Sequence, residues 1–227
     1  MSASSGLGYY IFVDYLTGVP PGRALLEPIL RNYETLTFFA GIQTVFLVPL
    51  LTMRTFSEER RTGTLEVLLT APVSESTIVI SKFASCWFVF MLSWIPAGLY
   101  LVALRVAGGQ PFEYKTLLSY YTALGCSGAA FVALGVFFSS LTKNQIVGAS
   151  LTGAALFAQL LTFLIRQSTS ELLSPALRTA LGRFDFLTLW HQALAGSLPV
   201  ADIVLTLSLA VFWVFLTIKV LEIRKWG

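Results

Sequence analysis

Charged residues are sparse in this chain, and their spacing dictates the fold class. Residues 35–53, 83–104, 116–142 and 144–165 contain no Asp, Glu, Lys or Arg, giving uninterrupted stretches of 19, 22, 27 and 22 residues. An ionised side chain at the centre of a bilayer costs at least about 2.5 kcal/mol, and a helix needs about 20 mostly apolar residues to cross the hydrocarbon core. Each stretch is therefore predicted to span a membrane. Residues 203–218, 16 long between Asp202 and Lys219, reach span length once 198–201 are added with Asp202 near the interface, and make a fifth span. Residues 6–19 are mostly apolar but carry Asp14 and stop at Pro20-Pro21-Gly22, so they read as half of a first span. The first basic residue is Arg23, which argues against a cleaved signal peptide, because such a peptide opens with a basic region.

The expected fold is an all-α polytopic membrane protein with five to six transmembrane helices, built as one domain over residues 1–227. Composition agrees: 56% of residues are hydrophobic and only 12% charged, with a mean hydropathy of +0.75, whereas soluble domains carry about 25% charged residues. A cytosolic enzyme, a disordered tail and a secreted disulfide scaffold are excluded. The net charge of +3 comes with no basic run longer than Arg60-Arg61 and no basic stripe beside stacking aromatics, so the partner is lipid and not nucleic acid. Cys86 and Cys126 each lie inside an apolar stretch and fit no zinc spacing.

The connecting segments differ in character. Residues 20–34 and 106–114 contain the breakers Pro20-Pro21-Gly22, Gly108-Gly109 and Pro111 and read as short surface loops. Residues 167–199 are longer and mixed, with a helix expected at 174–181, where Pro175 suits a first turn; this segment is expected to lie along the membrane surface, with Trp190 in the interfacial aromatic belt beside the single histidine, His191.

The richest segment is 54–82, RTFSEERRTGTLEVLLTAPVSESTIVISK. Ser57 can cap a helix whose first turn holds Glu58 and Glu59, followed by Arg60 and Arg61. At helical spacing Leu65, Leu68 and Leu69 form an apolar stripe flanked by Val67, while Glu58, Arg61 and Glu66 face water or a partner. Gly63 predicts a bend or a second cap at Thr62 or Thr64, Pro72 ends the piece, and Ser74 restarts a helix that runs into the next span. The pattern is helix, break, helix at one membrane face. On physics alone it is equally an anchor between two spans.

Within the spans, Gly125, Ala129 and Ala133, and likewise Ala149 and Gly153, recur at four-residue spacing, which allows close helix packing in lipid. Gln43 and Gln159 sit mid-span and are expected to hydrogen-bond neighbouring helices. Pro49 and Pro96 are expected to bend theirs.

On MRTFSEERRTGTLEVLLTAPVS at 53–74, VISKF at 79–83, SLTKNQIVG at 140–148 and the basic tail Arg224-Lys225-Trp226 after the last span, the chain resembles the ABC-2 type transporter permeases, most closely the gliding-motility-type (GldF-like) permease subunit. The resemblance covers nearly everything from about Glu34 onward. It implies a permease of the bacterial cytoplasmic (inner) membrane, acting as an exporter. It also implies that the segment between the second and third spans is a cytoplasmic helical hairpin that docks against an ABC ATPase subunit, through Glu58, Glu59, Arg60, Arg61, Gly63, Thr64 and Glu66. A second permease chain, identical or different, completes the unit. Family members begin with an amphipathic helix and a complete first span; here only residues 6–19 precede the second, which leaves five or six spans open.

With 54–82 in the cytoplasm, the inner basic residues are Arg54, Arg60, Arg61, Lys82, Lys143, Lys219, Arg224 and Lys225, eight against seven outside, so the positive-inside count does not orient the chain by itself. The chain has no G-x-x-x-x-G-K-[ST] phosphate loop. No cofactor is expected in it; ATP and Mg belong on the partner ATPase. Two rival classes make different demands on the sequence. An intramembrane protease of the E-E-x-x-x-R type is disfavoured because the required arginine position is Gly63, and His191 has neither a second histidine for a metal nor a nearby cysteine nucleophile. A non-transporting assembly factor that regulates an ATPase differs from a transporter in needing no substrate-stimulated turnover.

Overall fold

A computed structural model describes residues 33–65, 68, 73–108, 114–168 and 185–226. The half-span at 6–19, the loop at 20–34 up to Asn32, Glu66, Val67, Leu69, Pro72, the breakers Gly109 and Pro111, and the helix expected at 174–181 lie outside the described residues. Among the described residues there is no strand, and seven helices follow in order: α1 Tyr33–Thr52, α2 Ser57–Thr62, α3 Glu75–Gly108, α4 Tyr114–Leu141, α5 Gln145–Ser168, α6 Phe186–Leu194 and α7 Val200–Trp226. Four are long and apolar enough to cross a membrane, over Glu75–Leu99, Tyr114–Leu141, Gln145–Ile165 and Val200–Arg224.

Side-chain contacts set the directions of the helices. Gly135 on α4 lies against Thr52 on α1, and Phe137 on α4 stacks 5.1 Å from Trp213 on α7, while Gly196 lies near Thr116 at the opposite end. α1, α4 and α7 therefore run the same way. Trp87 Nε1 donates to the Gly125 carbonyl at 2.9 Å and the Tyr121 hydroxyl donates to the Trp94 carbonyl at 2.7 Å, so α3 runs antiparallel to α4. Gly41 faces Leu160 and Gly153 faces Pro49, so α5 runs antiparallel to α1. One end of the bundle accordingly gathers Thr52–Thr64, the start of α3, the α4–α5 turn and the end of α7.

α4 is the hub. Of its most apolar 18-residue stretch 78% is buried, against 22% in α3 and α5 and 11% in α7. It packs on α7, α6, α3, α5 and α1, and small residues let the helices approach closely. Gly125 faces Met91 and Trp87 on α3, and Ala129 and Ala133 meet Ala210 on α7. The exposed side chains of α3, α5 and α7 are themselves large and apolar, among them Phe88, Leu92, Phe157, Leu161, Phe212 and Phe215, as expected of helices whose outer faces meet lipid.

Two expectations are corrected here. The part of 167–199 that is described does not lie along a surface: α6 inserts into the bundle against α1, α4 and α5 with Phe186, Leu187, Leu189, Trp190, Ala193 and Leu194 buried. Its N-terminus is satisfied internally, because the Asp185 carboxylate accepts from the Leu187 and Thr188 amides at 3.0 and 3.4 Å. Trp190 is fully buried rather than interfacial, its Nε1 donating to Ser127 Oγ at 2.8 Å within an aromatic cluster that includes Trp94, Tyr120 and Phe186. A partnered indole N–H allows full burial.

Gln43 and Gln159 also depart from expectation. Gln43, at the middle of α1, is exposed, and its side chain makes no hydrogen bond to a described residue. The Gln159 Oε1 is buried without a partner and lines a cavity of about 40 Å³ together with Asp185, Asp202 and Thr206. Neither bonds a neighbouring helix.

Candidate functional site

The site lies at the end of the bundle where α1 finishes and the backbone turns into α2. The sequence places Ser57 to cap this helix, but the cap position falls on Phe56 with no side-chain hydrogen bond. Helix N-termini leave amide donors without intrahelical partners, and here Ser139 on α4 supplies the acceptor. The Phe56 amide donates to Ser139 Oγ at 3.0 Å, the Ser57 amide donates to the same atom at 3.2 Å, and that hydroxyl donates to the Met53 carbonyl at 3.3 Å. Phe56, Ser57 and Ser139 are all fully buried. Ser57 Oγ turns back to the Met53 carbonyl.

Two ionic contacts flank this junction. Lys82, two turns into α3, places Nζ 2.6 Å from Glu59 Oε1, donates to the Thr55 carbonyl at 2.8 Å and sits 5.0 Å from the centre of the Phe56 ring. Arg60 Nη1 donates to the Ser140 carbonyl at 3.1 Å at the end of α4. Burial, and secondarily the Arg224 guanidinium at the end of α7, hold the Arg60 pKa below the ordinary arginine value.

α2 ends at Gly63, which adopts φ +76° with open space where a Cβ would point. This left-handed C-terminal position is one glycine accepts without strain. The Thr62 hydroxyl bonds back to the Glu58 carbonyl at 3.0 Å and lies 2.9 Å from the Thr64 hydroxyl. Beyond the turn Leu65 is buried and Leu68 packs against the core, which ties the far side of Gly63 to the bundle. Ser74 then opens α3, its hydroxyl accepting from the Thr77 amide at 3.3 Å.

The residues singled out from sequence thus divide by direction. Glu59 and Arg60 turn inward, onto Lys82 and Ser140. Arg61, Gly63 and Thr64 are exposed and Glu58 is half-buried, and neither Glu58 nor Arg61 has an ionic partner among the described residues. The Arg60 stem reaches the bare carbonyl of a helix C-terminus, an acceptor that cations favour. Of the small residues, Gly125, Ala129 and Ala133 lie between α4 and its neighbours, while Ala149 and Gly153 are half-buried, Gly153 facing Pro49. Sequence reading missed Ser139, Ser140, Phe56 and Lys82 as partners of α2. Ser139-Ser140, two hydroxyls closing an apolar stretch, was the visible signal. Among the described residues no group of three or more His, Cys, Asp or Glu side chains could hold a metal.

Charges and backbone braces of this kind can transmit force between helices. No curated protein matches the chain. The family model described as ABC-2 family transporter protein matches residues 27–185, which is more than half of the chain and takes in α1 to α5. The helices of the described residues, four of them of membrane length, accord with that match, and the chain belongs to the ABC-2 transporter family, as an integral membrane permease component of an ABC transporter.

Proposed function

We propose that this chain is the permease subunit of an exporter in a bacterial cytoplasmic membrane, driven by a separate ABC ATPase subunit that docks on α2. The observation that carries the reading is the division of charge on α2. Glu58 and Arg61 have no ionic partner in the described chain and are available to a partner, while Glu59, Arg60 and the amides of Phe56 and Ser57 brace the helix against α3 and α4. A push on α2 is then delivered to α4, which touches every other long helix. Lys82 carries the same displacement into α3, whose 34 residues, about 51 Å of helix, exceed a bilayer core of about 30 Å and reach the docking face. ATP and Mg reside on the ATPase; its closure on nucleotide would rock the spans between inward-open and outward-open arrangements.

A second permease chain completes the unit in this reading. The exposed amide of Gln43 in the middle of α1 supports it, because an amide is both donor and acceptor and a polar side chain within the membrane seeks a partner helix. The segments 53–74 and 140–148 favour the gliding-motility-type subfamily. The test is purification of the full-length chain from its own membrane, with identification of what accompanies it. An ABC ATPase retained by the wild type and lost on Arg61→Glu supports the reading, whereas an ATPase absent from both preparations overturns it.

A further inference from the structure

Two carboxylates lie deep in the bundle. Ala210 on α7 meets Ala129 and Ala133 on α4, and Trp213 stacks 5.1 Å from Phe137. Counting back along these parallel helices sets Asp202 level with about Cys126, deeper than the interfacial position its sequence suggests. Phe186 stacks 4.8 Å from Phe131, which sets Asp185 at a similar level, and Leu160, beside Gln159, faces Gly41 near the middle of α1. The charge-free stretch of α4, residues 116–142, is centred on Ala129. At 1.5 Å per residue all three polar groups fall within about 6 Å of that centre, inside a hydrocarbon core about 30 Å thick. Ionisable residues at such depth are costly and mark ion sites and pathways.

The three groups, with Thr206, line the cavity of about 40 Å³, which has room for about three water-sized species. Phe131 and Leu209 add apolar wall. The polar groups present acceptors. Gln159 Oε1 is buried without a partner. The Thr206 hydroxyl donates its proton to the Ile203 carbonyl at 2.9 Å, so the cavity is offered its lone pairs. Asp202, in the first turn of α7, makes no ion pair with a described residue. Asp185 is fixed as the α6 cap, its second oxygen accepting from the Thr188 hydroxyl at 2.8 Å. Oxygen-only walls suit hard cations, and one carboxylate beyond the cap calls for a single positive charge. Protonation of Asp202 would leave the space unfilled, and water would fill it without bringing charge.

We propose that Gln159, Asp202 and Thr206, together with Asp185, bind a small monovalent cation between α5, α6 and α7 as a fixed counter-ion. The cation balances the charge of Asp202 within hydrocarbon and ties α7 to α5 and α6 at that depth. The site requires the membrane placement of the helices and neither ATPase docking nor export.

The test uses the full chain in nanodiscs, with Na⁺ exchanged for choline at constant ionic strength, and reads both thermal unfolding and binding of sodium-22. The wild type is expected to bind the ion saturably and to unfold at a higher temperature in Na⁺. Asp202→Asn and Gln159→Leu are expected to bind it at least about tenfold more weakly, because affinity at oxygen sites follows the charge and number of ligands. In choline, Asp202→Asn is expected to unfold no earlier than the wild type, since it removes a charge from hydrocarbon; loss of binding then does not come from misfolding. Glu222→Gln, an exposed acid at the other end of α7, is expected to bind as the wild type does. A wild type that binds no sodium-22 and unfolds alike in both salts overturns the site and leaves the cavity to water. Undiminished binding by Asp202→Asn also overturns it. So does binding that appears only after Arg166, Arg178 and Arg183 are replaced by glutamine, which makes a guanidinium the native counter-ion. No ATPase enters the measurement, so its failure leaves the permease reading standing.

Discussion

Ser139 and Phe56 are 83 positions apart in the chain and joined by a 3.0 Å hydrogen bond, with the serine hydroxyl of α4 occupying the place a capping side chain would take at the start of α2. Removing that oxygen strands two fully buried amides. Leaving a buried donor without a partner costs about 1–3 kcal/mol, so Ser139→Ala is expected to lower stability by that amount, read as a drop in the thermal midpoint in detergent. Ser140→Ala keeps the carbonyl that Arg60 uses and is expected to cost less than half as much. Equal effects from the two would contradict the role given to Ser139.

The Lys82–Glu59 pair is about a quarter exposed on each side, at 23 and 29%, and its second oxygen, Glu59 Oε2, is buried without a partner. Lys82→Met leaves that carboxylate with no cation. A loss of about 1–3 kcal/mol is expected, below the figure for a fully buried pair because solvent still screens this one. Glu59→Gln retains an acceptor for Lys82 and is expected to cost under about 1 kcal/mol. Thermal unfolding of the two variants checks the order.

Arg60 and Arg61 are neighbours with opposite assignments. Arg61→Glu is expected to leave the thermal midpoint unchanged while weakening ATPase association by on the order of tenfold, the scale of losing one well-placed charge contact. Arg60→Glu removes the bond to Ser140 and is expected to lower the thermal midpoint as well. Stability and pull-down measured on the same preparations separate them; a destabilised Arg61→Glu would contradict the outward placement.

The long helices were legible because a single strong rule, no charge in hydrocarbon, marks their ends. Even so, the charge-free stretches understate them. α3 begins eight residues before Phe83 and carries Lys82 on its surface, and α7 runs past Lys219 to Trp226, because charges at a helix end reach the interface without ending the helix. α6 was missed. Its apolar residues sit in a mixed segment too short to read as a span, and what buries it is the Asp185 cap and the Trp190–Ser127 hydrogen bond, a partnership across 63 positions that no local pattern reveals. The segment 54–82 stands out by its charge pattern, but the direction of Glu59 and Arg60 depends on Lys82 and Ser140, which only the tertiary arrangement brings near.

Close approach of α1 and α4 depends on Gly135, where an added Cβ would run into the side chain of Thr52. Thr52 is fully buried, its hydroxyl bonded to the Val48 carbonyl at 2.9 Å, so it cannot swing aside. Gly135→Val is expected to cost about 1–3 kcal/mol through overpacking and to loosen α2, since α1 leads directly into it. Gly153→Ala is the comparison: its Cβ would meet only Pro49, at 3.7 Å, and stability is expected to hold within about 0.5 kcal/mol.

The most direct test of the central claim is site-specific photo-cross-linking from α2 in native membranes. A photoreactive residue at position 61 is expected to attach to an ABC ATPase chain in a nucleotide-dependent manner, while the same residue at Phe212 on the lipid-facing side of α7 is expected to attach to none. Cross-links from position 61 only to lipid, or to the ATPase equally from both positions, would contradict the account.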